Sequence, residues 1–230
     1  MTLPDAPLAL ATWRREIAEL YADIRTTPAA DEPVAWEHWR DRRRELFAEH
    51  PQSPLGPSAR ESFNGLQYYD YDPVYRVEAT VAAETGGETF TVEVADGVLQ
   101  YRQVGTAKFT LRGQSCQLPL YWVTGYGGGL FLPFGDETNG KRTFGGGRYL
   151  YDTIKGADLG AGPGDTLPLD FNYAYNPSCA YDDRWECPLA PAQSDLSMLI
   201  EAGEHAFSNP TAEASEVSDA EHQASAGPLG

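Results

Sequence analysis

Near residue 60 the hydrophobic period of this chain changes from helical to alternating, and that switch constrains the fold more than any other feature. Before it, Leu10, Trp13, Ile17, Leu20, Tyr21 and Ile24 recur at three- and four-residue steps, with Glu16, Glu19 and Asp23 between them. Side chains at those spacings share one helix face, so an amphipathic helix is predicted over residues 8–26. A second helix is predicted over 33–49, with Pro33 suited to a first turn and Asp31 or Glu32 favouring the positive end. Trp36, Trp39, Leu46 and Phe47 form its apolar stripe. Arg40, Arg42, Arg43 and Arg44 are interleaved with Glu37, Asp41 and Glu45 at pairing distance, which reads as a solvated, salt-bridged face. His50-Pro51 stops the helix, and Pro51, Pro54 and Pro57 make a stiff connector.

After the switch, Tyr75, Val77, Ala79 and Val81 alternate with Arg76, Glu78 and Thr80. Gly86-Gly87 then leads into Phe90, Val92 and Val94, which predicts a hairpin, and Asp96-Gly97 predicts the next turn. Further strands are expected at 98–104, 107–111, 117–123 and 130–133, and Arg148–Tyr151 also reads as strand. A meander of this kind must hide its edges. The expected fold class is therefore α+β and mainly β: two N-terminal helices packed on an antiparallel β-barrel or two-sheet sandwich. The chain divides into a helical arm (1–57), an antiparallel β domain (58–206) with a motif-bearing loop at 169–204, and an acidic flexible tail (207–230). The tail carries four acids and no base, a composition typical of disorder.

Charge narrows the partners. The 230 residues carry 34 Asp and Glu against 17 Lys and Arg, a net charge of −17. Residues 1–60 hold ten acids and eight bases, so the remainder holds 24 acids and nine bases, and the acidity is spread rather than confined to one block. Phosphate binding needs a cationic face, so nucleic acid is not expected as a partner. No run approaches the roughly 18 apolar residues of a membrane helix, and the first residues lack the basic-then-apolar order of a signal peptide. A cytoplasmic location is expected. With only Lys108, Lys141 and Lys155 as lysines, the composition fits a salt-loving cytoplasm, where the Debye length falls to about 3 Å at 1 M and self-repulsion is screened.

Two segments concentrate polar and aromatic residues. In 132–151, three glycines precede Arg148 and Tyr149; a phosphate-cradling loop would need a helix after the glycines, so a bulge or tight crossing is expected there. The sharper alternative has Arg148 presenting an anion-binding fork. In 169–187, Asp170, Asn172 and Asn176 suit an ordered loop held by side-chain turns. Asp136, Arg148, Tyr149, Asp170, Asn172, Asn176 and Cys179 are the candidate ligand-binding residues, with no catalytic group, cofactor or metal assigned. Cys179, Cys187, His205 and one carboxylate can be assembled on paper as zinc ligands, but the spacing is not that of a knuckle. A nucleophilic Cys179 would need a base, and only His205 is well placed in sequence. Three thiols do not make a disulfide framework in a reducing compartment.

HPQSPL at 50–55, FGDETNGKRTFGGGRYL from Phe134 and DFNYAYNPSCAY…CPLAP…AGE from Asp170 resemble the DUF1684 family of bacterial and haloarchaeal proteins. The resemblance spans roughly His50 to Glu204, with the helical segment before it also similar. It implies an architecture and a motif-rich zone but no reaction. Phe144 stands where the family often has tyrosine, and His205 where it often has lysine after AGE.

The expected function is a small-molecule-binding β domain, enzymatic or not, with a site formed by 132–151 and 169–187. Its aromatic wall would draw on Tyr121, Trp122, Phe134, Tyr149, Tyr173, Tyr175 and Trp185. The alternative is a non-catalytic interaction module using a sheet edge or the helices, and self-association is left open.

Overall fold

Ile17, Leu20, Tyr21 and Ile24 give the first helix, α1 (Asp5–Thr26), one continuous buried face. The computed structural model describes residues 5–208 apart from 95, 96, 163 and 165. A 3-10 turn at Ala29–Asp31 reverses the chain into α2 (Glu32–Glu49), where Trp36, Trp39, Leu46 and Phe47 are all buried, as their spacing predicts. Each such side chain contributes about 1.5–3 kcal/mol relative to exposure, so tertiary burial rather than helix propensity holds these helices in place. Pro51 follows the last helical N–H donation, from His50 to Leu46 O, and a short helix α3 (Pro57–Glu61) leads away.

Among the described residues, eight strands form one strongly curled sheet, a half-barrel: β1 (Arg76–Ala83), β2 (Thr89–Val94), β3 (Gly97–Leu111), β4 (Gln114–Val123), β5 (Gly129–Asp136), β6 (Arg148–Asp152), β7 (Thr166–Asp170) and β8 (Asp195–Leu196). The structure thus has the mainly-β α+β form expected, and of the two sheet arrangements it takes the barrel-like one, as a half-barrel, rather than the two-sheet sandwich. The order is β6-β5-β4-β3-β1-β7 with antiparallel neighbours; β2 also pairs with β3, and only the two-residue β8 runs parallel, to β5.

The predicted hairpin between 75–81 and 90–94 does not form. β1 and β2 both pair with β3, β2 along its first half (Thr89 opposite Arg102) and β1 along its second (Ala83 opposite Gly105). The two predicted strands at 98–104 and 107–111 are therefore one 15-residue strand, its register shifted between Gln103 and Gly105. Such a bulge increases local twist and lets one long strand serve two partners. The predicted turn at Asp96-Gly97 falls partly on residues outside those described.

The curl brings the two ends of the sheet together. From β6, the Tyr151 hydroxyl donates to Pro168 O of β7 at 2.6 Å, and Tyr149 exchanges main-chain bonds of 2.9 and 3.1 Å with Tyr175 just beyond β7. The α1 and α2 stripes join Ala79, Leu118, Leu132, Leu150 and Leu169 in a single apolar core. The helical arm and the β domain therefore share their interior. Of the predicted flexible tail, Phe207 packs on Tyr181 at a ring distance of 5.4 Å, and residues 209–230 lie outside the described part.

Candidate functional site

Arg148 opens β6 and pairs in register with Phe134 of β5, two residues before Asp136. Its Nη2 donates to Asp136 Oδ2 at 2.9 Å, and both side chains are 0% exposed. The same guanidinium donates to the carbonyls of Ile200, Ala202 and Glu204, while Asp136 Oδ1 accepts from the Thr138 and Ile200 N–H groups. Burial pulls the Arg148 pKa down against the opposing pull of Asp136. The fork thus grips a carboxylate and main chain of this chain itself, and holds the segment 200–204 against the sheet. Ahead of it, Gly147 has a φ of +85°, and a Cβ there would meet Phe134 O, so the glycine run makes the tight crossing expected.

The clamped segment delivers Glu204 to the interior. Its carboxylate is 1% exposed and accepts from Arg43 Nη2 at 2.7 Å, from the Tyr181 hydroxyl and from the Asn176 N–H at 3.3 Å. Arg43 also donates from Nε to Tyr68 at 3.0 Å and lies over the rings of Trp39, Phe47 and Tyr175. Burial opposes the Arg43 charge, but Tyr68, Glu204 and Tyr181 together raise its pKa well above the usual arginine value. Burial likewise raises Glu204, against Arg43. Arg43 is therefore an exception to the solvated face expected of its helix. Arg42 and Arg44 do follow that expectation, pairing with Glu45 and Glu16 and with Asp41.

Asp170 and Asn172 form a separate brace. Asp170 Oδ1 accepts from the Asn172 N–H at 3.0 Å and from its Nδ2 at 2.9 Å, and Asn172 bonds both the N–H and the carbonyl of Asp72. Asp170 Oδ2 accepts no hydrogen bond and lies 3.8 Å from Arg76 Nη1. Burial raises the Asp170 pKa from 3.8 to about 6. Between those values the folded state holds a proton that the unfolded chain releases, so stability falls as pH rises from about 4 through about 6. A shift of about two units corresponds to about 3 kcal/mol. Urea melts of the wild type and Asp170→Asn at pH 4 and pH 7 are expected to show this loss only in the wild type; parallel pH profiles would contradict it.

Tyr149 and Asn176 meet in a different place, a cleft between α1, α2 and residues 175–181, with about 510 Å³ of empty space including its open mouth. Trp13, Ile17 and Phe47 supply apolar walls, and Lys155 also lines it. Tyr149 donates its hydroxyl to Pro188 O. Asn176 donates Nδ2 to His205 O at 2.7 Å, which leaves its buried Oδ1 without a partner. The buried Tyr175 hydroxyl also has none. Burial raises the pKa of the Tyr21 hydroxyl, also on the lining, against Arg43 and the nearby Trp39 indole, and the hydroxyl makes no well-aligned bond. Cys179 follows the lining residue Ser178 and donates its N–H to Cys187 Sγ at 3.3 Å.

Of the seven candidate residues, Tyr149 and Asn176 line this cleft and Cys179 adjoins it. Asp136 and Arg148 form the clamp, and Asp170 and Asn172 the brace. Of the expected aromatic wall, Tyr149 and Tyr175 line the cleft, whereas Phe134 and Tyr173 are in the main core, Tyr121 is in a second core cluster and Trp122 is 39% exposed. Trp185 donates its indole N–H to Pro54 O. Arg43 and Glu204 were missed as site residues. The signal for Arg43 was its position, four residues from both Trp39 and Phe47 and hence on the apolar stripe. Among the described residues, no three His, Cys, Asp or Glu side chains gather as a metal-binding set, and no helix is long and apolar enough to cross a membrane.

A family model described as "Protein of unknown function (DUF1684)" matches residues 61–205. An uncharacterised protein of Haloarcula marismortui, solved by solution NMR, is 39% identical over 76% of this chain and 95% of its own, with a TM-score of 0.59. No curated protein matches.

Proposed function

The chain belongs to the DUF1684 family, whose name carries no activity, and we propose that it binds a small neutral molecule in the cleft between α1, α2 and residues 175–181. The observation that carries this reading is the Asn176 Oδ1 and the Tyr175 hydroxyl, buried and without partners on two residues that line one cleft. Buried polar atoms are almost always paired, because an unmade bond costs about 1–3 kcal/mol, and a ligand supplies the missing partners. Both atoms are closed off from solvent, so a ligand reaches them as the cleft wall opens: Asn176 Oδ1 then takes a donor, Tyr175 gives one, and Trp13, Ile17 and Phe47 receive an apolar face. Arg43 is matched by Glu204, and Lys155 lies 3.5 Å from Asp152, so the charges around the cleft are internally matched and favour an uncharged ligand carrying a hydroxyl or amide. We place the protein in a salt-rich cytoplasm on its spread acidity.

Tyr175→Phe separates this reading from a structural one. The hydroxyl it removes bonds nothing in the protein, so the variant keeps the wild-type melting temperature. Affinity for the ligand falls by up to about tenfold, the net worth of one hydrogen bond. Thermal melts against neutral polyols and amides, run from dilute to multimolar potassium chloride, supply both readouts. Melting temperature rises with salt, and compounds that stabilise the wild type stabilise Tyr175→Phe less. Equal responses of both proteins to every compound would remove the cleft as a site.

A further inference from the structure

Cys179 and Cys187 stand outside the proposed ligand contacts, on a loop whose ends the fold fixes side by side. Between them, Arg184 Nη2 donates to the carbonyls of Ser53 and Leu55 at 3.2 and 3.0 Å, and Trp185 Nε1 to that of Pro54 at 2.9 Å. Behind Cys187, the Pro188 carbonyl accepts from the Tyr149 hydroxyl. These anchors bring Cys187 Sγ to 3.3 Å from the Cys179 N–H, with the Cys179 thiol in hydrogen-bonding reach of the same sulphur. Both cysteines are partly exposed and free.

We propose that Cys179 and Cys187 are a reversible redox pair that hydroperoxides oxidise to a disulfide, with Cys187 attacking and Cys179 resolving. The electrostatics assign the roles. Hydrogen bonding from Cys179 lowers the Cys187 pKa against burial, helped by Lys155 and by main-chain N–H groups. The same bond, with burial, raises Cys179, which keeps its proton. A thiolate is the attacking species, so Cys187 is the armed member of the pair. Its sulphur attacks the terminal oxygen of the hydroperoxide, the O–O bond breaks, and the departing alkoxide takes a proton from water, leaving Cys187 as a sulfenic acid. Cys179 sulphur then attacks the sulfenic sulphur, its proton joins the expelled hydroxide as water, and the S–S bond forms. Two thiols have lost two electrons, and the hydroperoxide has been reduced to an alcohol and water. A cellular thiol reverses the step by exchange.

Cys116 is an internal control: burial raises its pKa, and its thiol contacts Met198 Sδ at 3.7 Å. The thiolate fraction therefore favours Cys187 over Cys116, and the weaker nucleophilicity of the more acidic thiol takes back only part of that advantage. Alkylation of the intact, reduced protein should therefore label Cys187 several-fold faster than Cys116. Treatment with one equivalent of cumene hydroperoxide, followed by peptide mapping, should yield the Cys179–Cys187 disulfide with Cys116 still alkylatable, and a thiol reductant should restore both groups. In Cys179→Ser, dimedone should trap a sulfenic acid at Cys187. Cys116 reacting as fast as Cys187, or Cys187 passing to sulfinic acid without a disulfide in the wild type, would overturn the proposal. Neither readout depends on the ligand, so the redox pair and the cleft stand or fall separately.

Discussion

Replacing Arg148 with methionine lowers stability by about 3–5 kcal/mol, the usual cost of breaking one side of a buried ion pair. Methionine keeps an unbranched stem against Phe134, whose ring lies 5.1 Å from the guanidinium carbon, so little packing is lost. What is lost is charge and geometry. Asp136 remains enclosed with no cation, and the carbonyls of Ile200, Ala202 and Glu204 lose their common donor. For a chain of this size the melting temperature should drop by roughly 6–20 °C. Adding Asp136→Leu should recover part of the loss by removing the stranded carboxylate, though the Thr138 and Ile200 N–H groups then lack their acceptor. An anion-binding Arg148 would behave in the opposite way, losing ligand at unchanged stability. Urea melts of the single and double variants decide between these outcomes, and a loss below about 1 kcal/mol would exclude the clamp.

The contrast between Arg148 and Arg43 shows where sequence ceases to be legible. Helices, the switch to strands and the approximate strand positions follow from hydrophobic period, which reports only whether a side chain faces core or solvent. Period does not report pairing. Val77 and Val92 alternate as hairpin partners would, yet each of their strands pairs with a different half of β3, a choice made by long-range register. β7 was unread because Thr166–Asp170 contains Pro168, which weakens a strand signal; at this sheet margin the proline carbonyl instead accepts the Tyr151 hydroxyl. The same limit governs the site. Arg148 after three glycines has the composition of an anion fork, and only the return of residues 200–204 across β5 and β6 fills that fork from within. Asn176 was legible as a loop residue capable of several hydrogen bonds. Which of its atoms would remain unpartnered depended on His205, 29 positions away.

Arg43→Met should lower stability by about 3–5 kcal/mol at pH 7 and by distinctly less in mild acid. Arg43 is the cation that holds the Glu204 pKa down against burial. Without it, only the Tyr181 hydroxyl and the Asn176 N–H oppose desolvation of the carboxyl, and its folded-state pKa rises further above the unfolded value. A carboxyl whose pKa is raised on folding stabilises below its unfolded pKa, and that contribution is lost as pH rises through the folded one. The deficit of the variant relative to the wild type therefore grows from acid toward neutral pH, as Glu204 is forced to ionise beside only the Tyr181 hydroxyl and the Asn176 N–H. Urea melts at pH 4.5 and pH 7, interpreted with the Asp170 titration common to both proteins, measure that growth. A deficit equal at both pH values would mean that Arg43 contributes mainly by lying over Trp39, Phe47 and Tyr175, and that its charge does little for Glu204. A deficit confined to neutral pH would tie the α2 helix to the 202–204 segment through charge, and make the Arg43 wall of the cleft dependent on the ionisation of one buried carboxylate.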